Sequence, residues 1–243
     1  MIASLENVAK QREDGAGYSL LVRSFSIRAG EHVAITGPSG CGKSTTLDLL
    51  GMVLRPDSAD RFVFSPDGEA LDLARLWAGG RNDMLTDIRR KCMGYVLQTG
   101  ELFPFLTVEE NVVLTAVVAG VDKNAAQVRA RELMDRLEIT RLRRSMPDAL
   151  SIGQRQRAAI ARALAPGPRL LLADEPTAAL DPGLSRKVMK LLLEAVKDER
   201  TAVVMVSHDV ALVHDFAFRE VPIVMHSEGD SVRAVLDDRE GER

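Results

Sequence analysis

Gly37-Pro38-Ser39-Gly40-Cys41-Gly42-Lys43-Ser44-Thr45 is the stretch on which the fold turns. It fits the pattern G-x-x-x-x-G-K-[ST] in full. An apolar, β-like run from His32 to Thr36 precedes it, and a helical pattern carrying Leu47, Leu49, Leu50 and Met52 follows. Strand, glycine loop and helix is the context the motif requires. Glycines let the backbone curl so that its N–H groups point inward at a phosphate chain. The start of the helix adds partial positive charge. Lys43 can reach terminal phosphates, and the Ser44 hydroxyl can sit on Mg²⁺. A purely structural glycine turn is the plain alternative, and the agreement of motif with context argues against it.

Working outward, residues 2 to 8 and 20 to 27 read as strands around a polar, Gly-rich turn, Gln11 to Gly17. A helix from about Ser44 to Leu54 stops at Arg55-Pro56-Asp57, ordinary helix punctuation. Arg61 to Phe64 reads as a short strand, Leu71 to Trp77 as a short amphipathic piece and Met93 to Leu97 as a strand with Gln98 directly after it. The apolar loop Leu102 to Leu106 leads to Thr107-Val108-Glu109-Glu110, a capping box. Helices are expected at 107 to 119, 125 to 138, 153 to 165 and 184 to 196. Buried strands are expected at 169 to 173 and 201 to 206, and a closing β pair at 221 to 225 and 231 to 236. Apolar strands alternating with helices argue for an α/β fold with a mainly parallel central sheet covered on both faces. The reading places an antiparallel β part at the N-terminus. It divides one domain into a core (1–59 and 166–243) and an inserted helical lobe at about 60–165.

Composition narrows the function. At 243 residues and 46% hydrophobic, the chain can build a proper core. A net charge of -3 gives no electrostatic case for a nucleic-acid partner. The two cysteines, Cys41 and Cys92, have no metal-type spacing and suit a reducing compartment. Cys41 lies inside the glycine loop, where an inert small residue is the simpler reading than a redox switch. No N-terminal signal segment is visible, and the longest apolar run, Val112 to Val121, is too short for a bilayer. A soluble or peripheral chain is expected, with any membrane role requiring another subunit.

A second chemical element is Leu170-Leu171-Leu172-Ala173-Asp174-Glu175. An apolar strand ending in Asp matches the P-loop element whose carboxylate helps hold Mg²⁺. Glu175, next in line, can polarise a water for in-line attack on a γ-phosphate. With these two elements in place, nearly the whole chain resembles the ATP-binding subunits of ABC transporters, a P-loop NTPase family. Gly37 to Thr45 resembles the family's Walker A, with Gly37, Pro38, Ser39, Gly40, Cys41, Gly42, Lys43, Ser44 and Thr45 around the phosphates. Leu170 to Glu175 resembles Walker B. Gln98 resembles the Q-loop glutamine, Leu150-Ser151-Ile152-Gly153-Gln154 the signature motif, Ala179-Leu180-Asp181 the D-loop and His208 the switch histidine. Within the family the lipoprotein-releasing and macrolide-exporter type is most similar.

The resemblance implies ATP and Mg²⁺ as cofactors. It implies catalytic roles for Glu175, His208, Gln98 and Lys43, and metal contacts from Ser44, Gln98 and Asp174. Ser151, Gly153, Gln154 and Asp181 would meet the nucleotide of a second copy, a homodimer being the expected pair. A transmembrane permease would dock near Gln98 to Leu106, where Phe103, Pro104, Phe105 and Leu106 are poorly placed for pure solvent exposure. The expected site of work is then the cytoplasmic face of the cell membrane. Two positions depart from the family. Ile152 replaces a glycine of the signature; a branched side chain there weakens closure or is harmless if it points away, and toleration is the expected outcome because Ser151, Gly153 and Gln154 remain. The residue that stacks on adenine falls at Arg12, whose planar guanidinium can stack, and Tyr18 lies nearby at the start of the next strand. A soluble ATPase acting on nucleic acid or ribosomes is the alternative within the same fold, and a P-loop kinase or non-hydrolysing regulator is the alternative of a different functional class.

Overall fold

The computed structural model describes residues 1–11, 17–197, 200–228 and 231–239. Its elements follow the chain as β1 (Ala3–Gln11), β2 (Tyr18–Ile27), β3 (His32–Thr36), α1 (Lys43–Leu50), β4 (Arg61–Phe64), β5 (Leu71–Asp72), α2 (Leu73–Ala78), α3 (Asn82–Cys92) and β6 (Met93–Val96). They continue as α4 (Val108–Val118), α5 (Lys123–Arg136), α6 (Ile152–Leu164), β7 (Leu170–Asp174), α7 (Pro182–Val196), β8 (Ala202–Val206), α8 (Val210–Asp215), β9 (Arg219–Glu228) and β10 (Ser231–Asp237).

The strands form one sheet in the order β5-β4-β1-β2-β10-β9-β3-β8-β7-β6. From β9 to β6 neighbouring strands run parallel. The β1–β2, β1–β4 and β4–β5 pairings are antiparallel, while β2 pairs with β10 in parallel. The expected closing pair at the C-terminus does more than close. As the antiparallel hairpin β9–β10, it sits in the middle of the order and welds the two parts into one sheet.

Why the parallel strands read as continuous apolar runs is plain from their alternation. Val33, Ile35, Leu170, Leu172, Val204 and Val206 face one buried cluster, with α1 and the antiparallel strands. Ala34, Leu171, Ala173, Val203 and Met205 face the other, with residues from α4 to α7. Successive side chains of a strand point to opposite faces, so a strand covered on both sides must be apolar at every position.

Residues 61–64, which the sequence reading grouped with the helical lobe, pair with β1 at Ala3↔Phe64 through Glu6↔Arg61. They lie at the opposite end of the sheet from β6. Four residues with Phe62 and Phe64 buried are too short to reveal a partner, because that choice depends on distant β1. Helix α3 was not anticipated: only Leu85 and Ile88 are buried among eleven mostly polar residues. Helix α1 ends at Leu50 rather than Leu54, since Gly51 caps it and Met52 turns to φ 55°.

A buried polar residue organises the loop after β6. Asn111, fully inaccessible, accepts from the Phe103 N–H at 2.7 Å and donates to the Phe103, Leu106 and Thr107 carbonyls at 3.0–3.1 Å. Replacing Asn111 by Ala strands an N–H and carbonyls in the core, so a stability loss of about 2–3 kcal/mol is expected. Urea unfolding of the two proteins measures it, and an unchanged midpoint would show that water takes over the amide's bonds.

Candidate active site

The glycine loop joins β3 to α1 as the motif demands. Gly42 is the N-cap of α1 at φ 93°, a left-handed conformation. A Cβ there would also lie 2.4 Å from the Tyr18 hydroxyl oxygen, so the position admits glycine on two grounds. Lys43 begins the helix and is 7% exposed. Its Nζ donates to the carbonyls of Gly37 and Pro38, both at 2.9 Å, folding the ammonium back under the loop.

A cavity of about 590 Å³ opens over this loop. Ser39, Gly40, Gly42, Lys43, Ser44 and Thr45 line one wall, and Glu175 closes that end. Lys10, Gln11, Tyr18 and Leu54 form the other. Arg12, the residue expected on the adenine side, lies outside the described residues, and the nearby Tyr18 is in the wall. Lys10, Gln11 and Leu54 were not singled out in the sequence. Each is an ordinary residue whose place depends on how β1, β2 and the end of α1 converge. Cys41 is buried, and burial raises its thiol above the usual range, which opposes thiolate formation.

Asp174 ends β7 half-buried. Burial pushes its carboxyl above the ordinary range, while the hydrogen bond from the Ser44 hydroxyl pulls it back. Glu175 follows at φ 44°, a left-handed conformation unusual outside glycine. Its N–H donates to the Val206 carbonyl at 3.1 Å, which holds the turn against β8. The side chain thereby stands between two others. The Gln98 amide Nε2 donates to Glu175 Oε2 at 3.4 Å, and His208 Nδ1 lies 3.3 Å from Glu175 Oε1. Three residues far apart in sequence meet at one carboxylate, at the edge of the phosphate-loop cavity. His208 is exposed and borders a second, smaller cavity with Ser207, Asp209 and the segment 177–185.

Among the described residues no cluster of three or more His, Cys, Asp or Glu side chains could hold a metal by itself. That composition suits Mg²⁺ bound through phosphates, which needs only one or two carboxylates, waters and hard oxygen donors. Ser44 and Asp174 supply such oxygens side by side.

The signature and D-loop residues lie elsewhere. Ser151 is the N-cap of α6 in a reciprocal capping box: its Oγ accepts from the Gln154 N–H at 3.3 Å, and its own N–H donates to Gln154 Oε1 at 2.9 Å. Asp181 caps α7, accepting from the Gly183 and Leu184 N–H groups at 3.1 and 3.0 Å. None of Ser151, Gly153, Gln154 or Asp181 lines the phosphate-loop cavity of its own chain. The substitution at Ile152 has a local explanation. Ile152 is 58% exposed, so its bulk meets solvent within one copy. At Gly153 a Cβ would stand 2.6 Å from Leu184 Cδ2, so this glycine lets α6 approach α7.

The segment named for docking is partly open. Phe105 is 72% exposed and Phe103 41%, their rings 5.8 Å apart. Phe103, Leu114 and Val118 line a mainly apolar groove of about 340 Å³, which continues along Tyr95 and Arg162.

Comparison with known proteins places this geometry. The family model described as ABC transporter matches residues 20–178. The lipoprotein-releasing system ATP-binding protein LolD of Paramagnetospirillum magneticum is 40% identical over 206 residues, which cover 85% of this chain and 85% of that one. The macrolide export ATP-binding/permease protein MacB of Salmonella typhimurium is 39% identical over 213 residues, 86% of this chain but 31% of that longer one. Among solved structures, the dimeric post-hydrolysis state of the ATP-binding cassette MJ0796 bound to ADP and Pi is 35% identical. It superposes with a TM-score of 0.74, covering 91% of this chain and 93% of that one.

Proposed function

Because this chain belongs to the ABC transporter family, we propose that it is an ATP-hydrolysing subunit that powers a membrane transporter. The observation that carries the reading is the meeting of Gln98, Glu175 and His208 at the edge of the phosphate-loop cavity. Lys43 and the loop N–H groups bind the phosphates. Mg²⁺, bound through Ser44, Asp174 and Gln98, would neutralise the charge of the transferring phosphoryl group. Glu175 accepts a proton from the attacking water. Gln98 orients that carboxylate from one side, and His208 adds stabilisation at the γ-phosphate from the other.

The signature residues find a use only across a pair of copies. Ser151, Gly153 and Gln154 sit at a helix start away from their own phosphate loop, with Asp181 on the neighbouring α7. In our reading they close on the ATP of a second copy, which fits the dimeric arrangement of the related cassette. We assign residues 1–243 to one ABC ATPase domain, in which the α4–α6 segment is the lobe that presents the signature.

No described helix is long and apolar enough to cross a membrane. The transport role therefore calls for a transmembrane permease, as the printed names of the relatives suggest. We place its docking at the Phe103–Leu106 segment and the groove beside α4, on the cytoplasmic face of the membrane. An action on nucleic acid or ribosomes is not favoured, since these relatives are transporter ATPases.

Purification from membranes tests the whole reading. The chain should bring down a multi-spanning protein. Phe105→Glu should cut that recovery at least about fivefold, by placing a charge in an apolar contact, while ATP binding by the isolated chain stays as it was. Recovery of ribosomes or nucleic acid instead would reject the transport reading.

A further inference from the structure

Ser44, Asp174 and Gln98, the three residues assigned to the magnesium end, stand on three different elements: α1, the end of β7 and the residue just past β6 and Leu97. Besides the Ser44–Asp174 and Gln98–Glu175 bonds, a further side-chain hydrogen bond joins β6 to α1. Tyr95 in β6 donates from its hydroxyl to Asp48 Oδ1 in α1 at 3.0 Å. Tyr95 pairs with Leu172 of β7, two residues before Asp174, and precedes Gln98 by three. Asp48 follows Ser44 by four residues, so the two share one face of α1.

The ring is seated as well as bonded. At Gly51 a Cβ would come within 3.4 Å of Tyr95 Cε2 and 3.1 Å of Leu172 Cδ1, so the glycine cap of α1 makes room for the ring to reach Asp48. Asp48 thus lies one turn along α1 from Ser44 and is bonded to the strand that pairs with the one ending in Asp174. A hydrogen bond whose only task was to pin helix to sheet would not need a carboxylate, whose charge is costly to half-bury.

We propose that Asp48, held by Tyr95, is a positioning residue for the magnesium end of the nucleotide site, supplying a negative charge behind Ser44 and Asp174 that a bound divalent cation offsets. The proposal rests on the nucleotide-site reading above. Groups of this outer kind orient a metal's ligands and tune its affinity. In the metal-free chain the Asp48 charge repels Asp174, and with the cation in place both charges are attractive.

The test separates charge from hydrogen bond, and both from the reading beneath them. The full chain carrying Glu175→Gln is the parent, and a fluorescent methylanthraniloyl-ATP is the probe. Mg²⁺ is titrated at fixed probe, probe binding in EDTA is measured separately, and melting of the metal-free chains is recorded. In Asp48→Asn, which keeps an acceptor and loses the charge, the half-saturating Mg²⁺ concentration should rise about tenfold. Melting should be no lower than in the parent, and binding in EDTA no weaker. Tyr95→Phe should shift the Mg²⁺ midpoint in the same direction, and the double variant should go no further than Asp48→Asn. An unmoved Mg²⁺ midpoint in Asp48→Asn overturns the proposal, whatever melting does. A moved midpoint there with none in Tyr95→Phe removes Tyr95 from it. If the parent itself fails to bind the probe, the nucleotide-site reading has failed and the proposal goes with it.

Discussion

Glu175→Gln is expected to slow ATP hydrolysis by a factor of about 10²–10⁴ while ATP binding persists. The amide has nearly the shape of the carboxylate, so the spacings to Gln98 and His208, 3.4 and 3.3 Å, can be kept, with the Gln98 amide turned over or His208 accepting at Nδ1 to meet the one NH2 that replaces an oxygen. What it loses is the ability to accept a proton from water. Backbone placement is unaffected, because the left-handed turn at residue 175 and its N–H bond to Val206 involve no side-chain atom. With the γ-phosphate left uncleaved, a closed pair of copies has no chemical step by which to open. The variant should therefore elute as a dimer in Mg-ATP and as the smaller species without nucleotide. Phosphate release and gel filtration on the same preparation measure both. Turnover near that of the unaltered chain would remove Glu175 as the base and leave Gln98 and His208 without a common purpose.

Lys43→Ala is expected to weaken ATP binding by about 10- to 100-fold, the loss of one or two charge-assisted hydrogen bonds to phosphate. Two effects combine. The ammonium is removed from the cavity wall, where it is the cation nearest the terminal phosphates in our reading. Its bonds to the Gly37 and Pro38 carbonyls are removed too, so the loop loses a brace that shapes it before the nucleotide arrives. Helix α1 should survive, since alanine is a strong helix former at its first position. Calorimetric titration with ATP measures the affinity, and circular dichroism checks that the fold is retained. Affinity equal to that of the unaltered chain would reject the phosphate-loop reading.

Sequence by itself settled what depends on neighbours along the chain. The phosphate loop is legible because glycine spacing and helix start are local. So is the capping box at Thr107, which the structure shows with both reciprocal bonds; the same arrangement at Ser151 came to light only in the structure. The apolar runs of β7 and β8 announced strands buried on both faces before any partner was known. The family resemblance gathered these elements into one expectation, and the comparisons bear out family and fold. What only the tertiary structure decided is what depends on distant chain. Strand β4 joined β1, the β9–β10 hairpin welded the sheet, and Asn111 became the hub of a loop it merely follows in sequence. Ile152 is exposed within one copy, whereas a side chain at its neighbour Gly153 would run into Leu184 of α7. Tyr95 and Asp48 carry no signal of their own: an aromatic in a strand and an acid in a helix are common, and their pairing exists only where α1 crosses the sheet. Local propensity follows bond rotations and short-range hydrogen bonds, which a sequence displays. Convergence of side chains follows packing at long range, which it does not.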